Sequence, residues 1–418
     1  MSFRLLQERR VAGELPGPRS VALAARRSAA VAAGVGSTMA VYAADADGGV
    51  VVDVDGNSFI DLGSGIAVTS VGASAPRVVA AVQEAAARFT HTCFTITPYE
   101  GYVAVAEKLA ELTPGSHEKR SALFNSGAEA VENAVKIARL ATGRDAIPYK
   151  KGFGPFAPEI YRMPMSYPFR DGLDGKETAE RAISQIVAQV GVDSVAAVLI
   201  EPIQGEGGFV VPAEGFLPAL AAWCASSGAL FIADEIQSGF CRTGDWFAAE
   251  HEGLVPDIVT TAKGIAGGMP LAAVTGRAAI MDAVHPGGLG GTYAGNPVAC
   301  AAGLASIETM AEWDLNAAAR RIEALAVPLL REVASATGRI GDVRGRGAML
   351  AVEFTEAGTT VPDPAAAAAV AAACHRAGVI VLTCGTYGNV VRLLPPLVIP
   401  EPLLLEGLDV LTSAVTAL

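Results

Sequence analysis

Three groups of residues in the sequence could carry chemistry. Asn125-Ser126-Gly127-Ala128-Glu129 opens a stretch in which Val131, Ala134, Val135 and Ala138 recur on one helical face. A polar cap followed by two small residues leaves backbone N–H groups open at a helix N-terminus, where they attract an anion. An ordinary N-cap is the plainer use of the same residues. Asp234 closes the apolar run Phe231-Ile232-Ala233 and is followed by Glu235. There it could hold magnesium beside a nucleotide, or only cap a strand. The nucleotide reading wants a G-x-x-x-x-G-K-[S/T] or G-x-G-x-x-G turn, and neither occurs. Lys263 follows a third apolar run and precedes Gly264-Ile265-Ala266-Gly267-Gly268, a turn with almost no side chains. Glycine at that density lets a ligand approach the backbone closely. A lysine held on a rigid strand end and partly desolvated loses its proton easily and can condense with an aldehyde. Taken alone, it is a solvated lysine in a loop.

Together the three are harder to explain blandly. Lys263 lies 263 − 234 = 29 residues after Asp234, about one strand–helix–strand unit. A phosphate cradle, a carboxylate for a pyridinium nitrogen and an amine for an aldehyde are what pyridoxal 5′-phosphate requires of a protein.

The elements that must position these residues follow from the apolar pattern. Residues 195–200, 229–233 and 258–261 are short unbroken apolar or β-branched runs, each ending in a polar residue: Glu201, Asp234 and Lys263. Such runs suit strands buried on both faces of a parallel sheet, and ligands bind at the edge where those strands end. Residues 216–227 between them repeat Phe216, Leu217, Leu220 and Trp223 at helical spacing. This is an α/β pattern with right-handed crossovers. Residues 42–62 alternate Val50, Val52 and Val54 before Asp55-Gly56-Asn57, which reads as an antiparallel hairpin. After residue 299 comes an alanine-rich helical stretch to 337, then strands near 348–354 and 390–394, with a helix over 365–373 between them. The expected organisation is a large domain over residues 67–301, flanked by a smaller α+β domain built from residues 1–66 and 302–418.

Composition narrows the partners. With 31 Lys+Arg against 43 Asp+Glu, the net charge of −12 disfavours a surface made to neutralise nucleic-acid phosphates or anionic lipid. Small molecules are the expected partners, with neither nucleic acid nor membrane among them. Six scattered cysteines show no C-x-x-C pair, and five isolated histidines show no H-E-x-x-H, so neither a disulfide framework nor a metal site is expected. The longest apolar run, residues 365–374, is about half a membrane span, and no signal sequence is read. A reducing cytoplasm is the expected location.

Seven stretches now bear on one family. They are residues 90–94 (Thr-His-Thr-Cys-Phe), 126–136 (Ser-Gly-Ala-Glu-Ala-Val-Glu-Asn-Ala-Val-Lys), 200–208 (Ile-Glu-Pro-Ile-Gln-Gly-Glu-Gly-Gly), 232–239 (Ile-Ala-Asp-Glu-Ile-Gln-Ser-Gly), 262–268 (Ala-Lys-Gly-Ile-Ala-Gly-Gly), 290–297 (Gly-Gly-Thr-Tyr-Ala-Gly-Asn-Pro) and 384–389 (Cys-Gly-Thr-Tyr-Gly-Asn) leading to Arg392. With them the chain resembles the class III (subgroup II) aminotransferases of the fold-type I pyridoxal-phosphate enzymes over nearly its whole length from Arg26. The block from Cys384 to Arg392 points to members that act on 4-aminobutyrate. The resemblance implies a seven-stranded-type, mostly parallel central sheet. Lys263 would be the lysine joined to the cofactor and the proton shuttle; Asp234 would pair with the pyridinium nitrogen, Gln237 touch the ring hydroxyl and Ile236 pack under the ring. Gly127 and Ala128 would hold the phosphate. Thr292 would reach it from a partner subunit, implying a homodimer with shared active sites that a dimer of dimers could extend. Arg392 would bind the α-carboxylate of glutamate or 2-oxoglutarate, Glu206 would neutralise Arg392 when 4-aminobutyrate is bound, and Ile66 would line the substrate pocket. The implied reaction moves the amine of 4-aminobutyrate to 2-oxoglutarate; another ω-amino acid or diamine as donor, or a catalytically impaired paralogue, is the alternative.

One departure stands out. In the family, the helix after the phosphate turn leads into a core strand and a Tyr/Phe-His-Gly-Arg-Thr turn, whose aromatic stacks on the cofactor and whose arginine holds the donor carboxylate. Here only Arg144-Asp145-Ala146-Ile147 separates the helix end from Pro148-Tyr149-Lys150-Lys151, which already resembles sequence beyond that turn. A natural deletion would open a gap in the core sheet. The intact remainder of the site favours instead a functional protein that carries a segment this sequence omits. Tyr149 and Phe153 are the aromatics left to substitute, and residues 148–178 are expected to hold no regular element.

Overall fold

A computed structural model describes residues 3–145 and 159–418. The chain divides into two compact units: Pro76–Gly205 with Val210–Asn316, and Met1–Ala75 with Glu206–Phe209 and Ala317–Leu418. The divisions fall at 75/76 and 316/317, against the 66/67 and 301/302 expected from the sequence.

The terminal unit holds β1 (Ala43–Asp47), β2 (Val50–Asp53) and β3 (Ser58–Asp61). The central unit holds β4 (Lys119–Phe124), β5 (Ala197–Ile200), β6 (Leu230–Asp234), β7 (Ile258–Thr261) and β8 (Ala272–Arg277). The chain then returns to the terminal unit with β9 (Ile340–Arg346), β10 (Met349–Phe354), β11 (Val379–Ile380), β12 (Leu382–Cys384) and β13 (Val390–Leu393).

In the central unit the sheet order is β4-β8-β7-β6-β5. Strands β5, β6 and β7 run parallel, while β8 is antiparallel to both β7 and β4. Two antiparallel pairings in succession leave β4 parallel to β7, so β4, β5, β6 and β7 all end at one edge of the sheet. The apolar runs at 195–200, 229–233 and 258–261 are these buried strands, and helix Phe216–Ser227 is the expected crossover between β5 and β6. Helix Gly127–Thr142 lays Ala130, Val131, Ala134, Ile137 and Ala138 onto the cluster formed by Leu199, Ile232, Ile258 and Val274.

Two expectations are corrected. The sheet has five strands among the described residues, not seven, and β5 pairs only with β6 there. Met163 and Met165 pack against the cluster containing Val198, Phe216 and Leu220, and a cavity of about 230 Å³ lies among these side chains beside β5. The question raised at residues 141–148, and the aromatics Tyr149 and Phe153, fall on or reach into residues 146–158, outside the described residues. Within 148–178, where no element was expected, a helix begins at Gly175 and runs to Gln189. Its Asp174 side chain accepts from the Glu177 N–H and the Glu177 side chain accepts from the Asp174 N–H, a capping box that the D-x-x-E spacing announces.

In the terminal unit, four-stranded sheets run β1-β2-β3-β11 and β12-β13-β10-β9. The expected hairpin at 42–62 is a three-stranded meander, with Asp55-Gly56-Asn57 turning β2 into β3. The alanine-rich stretch to 337 is two helices, Pro297–Glu312 and Leu315–Thr337, parted by Asp314 at φ +46°. Among the described residues no helix is long and apolar enough to cross a membrane.

Candidate active site

The central unit brings six of the expected residues to the sheet edge where β4, β6 and β7 end. At the end of β4, Ser126 caps helix Gly127–Thr142 and forms a reciprocal box with Glu129. Glu129 accepts from the N–H groups of Asn125 (2.7 Å) and Ser126 (2.9 Å). Burial alone would raise the Glu129 carboxyl, but the hydrogen bonds from Asn125 and Ser126 together hold it below the usual carboxylate range. The box thus consumes the N–H groups of Asn125, Ser126 and Glu129 and leaves those of Gly127 and Ala128 outside it. A β-carbon at Gly127 would lie 2.8 Å from Ile236 Cδ1, so the turn sits close against the residue that follows the end of β6 by two positions.

Asp234, the last residue of β6, is buried and stands in register with Thr260 of the adjacent β7. Its Oδ1 accepts from Thr260 Oγ1 at 3.0 Å and from the Ile236 N–H at 3.1 Å. Thr260 is a site residue missed by sequence reasoning. Its signal was a hydroxyl in a strand buried on both faces, where each polar atom needs a partner. Gln237 is also buried, and a β-carbon at Gly205 would lie 2.7 Å from its Cδ, so the loop after β5 passes against this side chain with no room for a larger residue. Lys263 directly follows β7 and Ala262, with φ +47°, a left-handed backbone rare outside glycine. The next three residues, Gly264, Ile265 and Ala266, are buried, which fixes the base of the lysine.

β4 is two strand spacings from β7, roughly 10 Å. An anion site, a buried carboxylate and an amine therefore stand at one edge over the span of a small cofactor. These residues fit pyridoxal phosphate. Asp234 is a buried carboxylate fixed by Thr260, the helix N-terminus at Gly127 and Ala128 could take a phosphate, and the lysine stands just past a strand end. Thr292 is exposed on the loop before helix Pro297–Glu312.

The terminal unit holds Arg392, Glu206 and Ile66, and it pairs the first two. Arg392 on β13 donates from Nη1 to Glu206 Oε1 at 2.6 Å. The arginine side chain is 6% exposed and the glutamate 68%. The guanidinium carbon stands 5.9 Å from the centre of the Phe209 ring. Ile66 is 41% exposed at φ +66°, in a short helical stretch, Ser64–Ala67, whose Gly65 is also left-handed. A β-branched residue there carries strain of about 1–3 kcal/mol, a feature that clusters at ligand sites. Nothing in the local sequence signals it.

The family model for aminotransferase class III matches residues 30–147 and 139–415. The chain belongs to the class-III aminotransferases. These are pyridoxal-phosphate-dependent transaminases. Among relatives, a 4-aminobutyrate aminotransferase of Mycobacterium tuberculosis is 58% identical over 441 positions, covering 98% of both chains. A 5-aminovalerate aminotransferase, DavT, of Pseudomonas putida is 43% identical, covering 92% of this chain and 96% of its own. Among solved structures, a Bacillus anthracis aminotransferase superposes with a TM-score of 0.89 at 25% identity, covering 97% of this chain and all of its own. This class-III chain has a break in its match. The model is met in two pieces that join over residues 139–147, and the mycobacterial alignment holds at least 441 − 418 = 23 positions that face no residue here.

Proposed function

We propose that the chain transfers the amine of 4-aminobutyrate to 2-oxoglutarate, giving succinate semialdehyde and glutamate, as a pyridoxal-phosphate enzyme. The observation that carries this reading is the Arg392–Glu206 pair: a buried cation neutralised by an exposed, displaceable carboxylate. A donor with one carboxylate, such as 4-aminobutyrate, leaves the pair closed. A substrate with an α-carboxylate, such as glutamate or 2-oxoglutarate, takes the place of Glu206 on Arg392. One pocket then serves both halves of the reaction. The identity of the mycobacterial relative supports the same donor.

In this reading the Gly127 and Ala128 N–H groups bind the cofactor phosphate, Asp234 holds the proton of the pyridine nitrogen, Gln237 meets the ring hydroxyl, and Ile236 supports the ring from below. Bound pyridoxal phosphate supplies an electron sink for the carbon that loses its proton. Lys263 Nζ takes that proton from the amine-bearing carbon and returns it on the other side of the transfer, so it must cycle between neutral amine and ammonium. Ile66 walls the donor side. Thr292 reaches the phosphate of a partner copy in a homodimer. Scattered cysteines that form no disulfide among the described residues fit a cytoplasmic enzyme.

The test is a half-reaction. On adding 4-aminobutyrate to the holoprotein, the visible cofactor band should bleach as succinate semialdehyde is released, and Lys263→Ala should abolish turnover. Full turnover in that variant would end the mechanism. kcat/KM compared over 4-aminobutyrate, 5-aminovalerate, β-alanine and ornithine ranks the donors. A second reading, cofactor binding without turnover, is favoured by the break at residues 139–147. A band that forms and does not bleach would select it.

A further inference from the structure

Glu206 does its proposed work only if its backbone stays fixed while its side chain leaves and returns. Residues 206–209 belong to the terminal unit, although their chain neighbours on both sides belong to the central one. Hydrogen bonds to their backbone carbonyls come from Gly385 and Arg344. The Gly385 N–H donates to the Glu206 carbonyl at 3.1 Å. Arg344 on β9 donates from both Nε (2.9 Å) and Nη2 (2.6 Å) to the Gly208 carbonyl. The third arm of the guanidinium, Nη1, donates to Glu353 Oε2 at 2.6 Å and Asp342 Oδ2 at 2.9 Å. Arg344 is 8% exposed and Glu353 wholly buried.

The sheet register explains the aim. Arg344 stands opposite Ala351, and Ala351 opposite Arg392, across β9-β10-β13. Directly opposed residues in antiparallel strands share a face. Both arginines therefore leave the same face, with an alanine between them, and both meet the 206–209 loop. Gly208 sits at φ +120°, and a β-carbon there would lie 3.1 Å from Arg344 Nη2 and 3.3 Å from Gly385 Cα. The guanidinium and the loop are packed together without a spare side chain.

For stability alone, a buried Arg–Glu pair is a poor choice, since apolar residues of similar volume serve as well or better. What an apolar pair cannot do is place two N–H groups on one carbonyl. We infer that Arg344, braced by Glu353, is a positioning residue that clamps the Gly208 carbonyl and so holds Glu206 opposite Arg392. This rests on the reading of Glu206 and Arg392 as the carboxylate exchanger.

The clamp matters only when Glu206 must neutralise Arg392, which is the 4-aminobutyrate half of the cycle. Arg344→Met alone would strand the Glu353 charge, so the variant to test is Arg344→Met with Glu353→Gln. It should lower kcat/KM for the 4-aminobutyrate half-reaction at least tenfold and change that for glutamate less than threefold. Arg344→Lys, which keeps the charge and fewer donors, should fall between. Equal losses in both half-reactions, or none in either, overturn the clamp. Hydrogen exchange over residues 205–209 gives a readout without turnover: protection should drop in both variants, and unchanged protection overturns the clamp. A wild-type holoprotein inert toward 4-aminobutyrate would instead defeat the proposed function, leaving exchange to decide the clamp.

Discussion

Asp234 and Glu235 are consecutive buried carboxyl groups with opposite surroundings. Asp234 faces the sheet edge and is hydrogen-bonded by Thr260 and Ile236 on one oxygen. Glu235 is wholly enclosed, and burial pushes its carboxyl up to about 7 although Ser238, Ala248 and Ala249 all donate to it. In the folded chain this group holds its proton up to about pH 7, whereas unfolded it ionises near 4.5. The folded state binds the extra proton in that window, so the group's contribution to stability falls as pH rises from about 4.5 to 7 and is constant above. Glu235→Gln should flatten that slope in a series of Tm measurements. Thr260→Val removes a hydrogen bond of about 1 kcal/mol from Asp234 and should lower kcat/KM by about five- to tenfold with the fold unchanged by circular dichroism. At Ile66, glycine relieves the left-handed strain while losing a half-exposed side chain. Ile66→Gly should cost less than about 1 kcal/mol in denaturant unfolding yet reduce kcat/KM for the donor.

At the scale of elements, the proposed anion turn at Gly127 and Ala128 depends on a helix cap that satisfies itself. The box of Ser126 and Glu129 carries the S-x-x-E spacing and the one at Asp174 and Glu177 carries D-x-x-E, a local signal that outweighs the otherwise irregular pattern of residues 148–178. Ser126→Ala should cost about 1 kcal/mol in unfolding free energy. It should also weaken retention of the cofactor in dialysis, because an unformed first turn no longer presents the Gly127 and Ala128 N–H groups. The buried strands were legible because runs of four to six apolar or β-branched residues that lead to a polar one have few other uses, and β5, β6 and β7 lie where those runs stand. The neighbour of each strand was not legible. The resemblance implied seven strands, and β5 instead has one strand partner among the described residues, beside a cavity at Met163, Met165 and Phe216.

At the scale of the whole molecule, the length of 418 residues allows two units, yet it is short by at least 23 positions against a relative matched nearly end to end. The break in the family match lies at residues 139–147, in sequence at the end of helix Gly127–Thr142 and ahead of helix Gly175–Gln189, which leads to β5. Inserting there the residues that the mycobacterial relative carries should raise Tm and speed the bleaching of the cofactor band by 4-aminobutyrate; an unchanged Tm would mean that the core is already complete. The sequence by itself determined which candidate residues stand at strand and helix ends, because a capped helix start, an apolar run ending in Asp and a lysine before a glycine turn are local patterns. Tertiary structure alone decided what acts across distance. Thr260 meets Asp234 through the register of two parallel strands, and Arg344 reaches Gly208, 136 residues away, through the register of a sheet. Register is set by which faces are buried against which, and that information is spread over the whole chain rather than written near either residue.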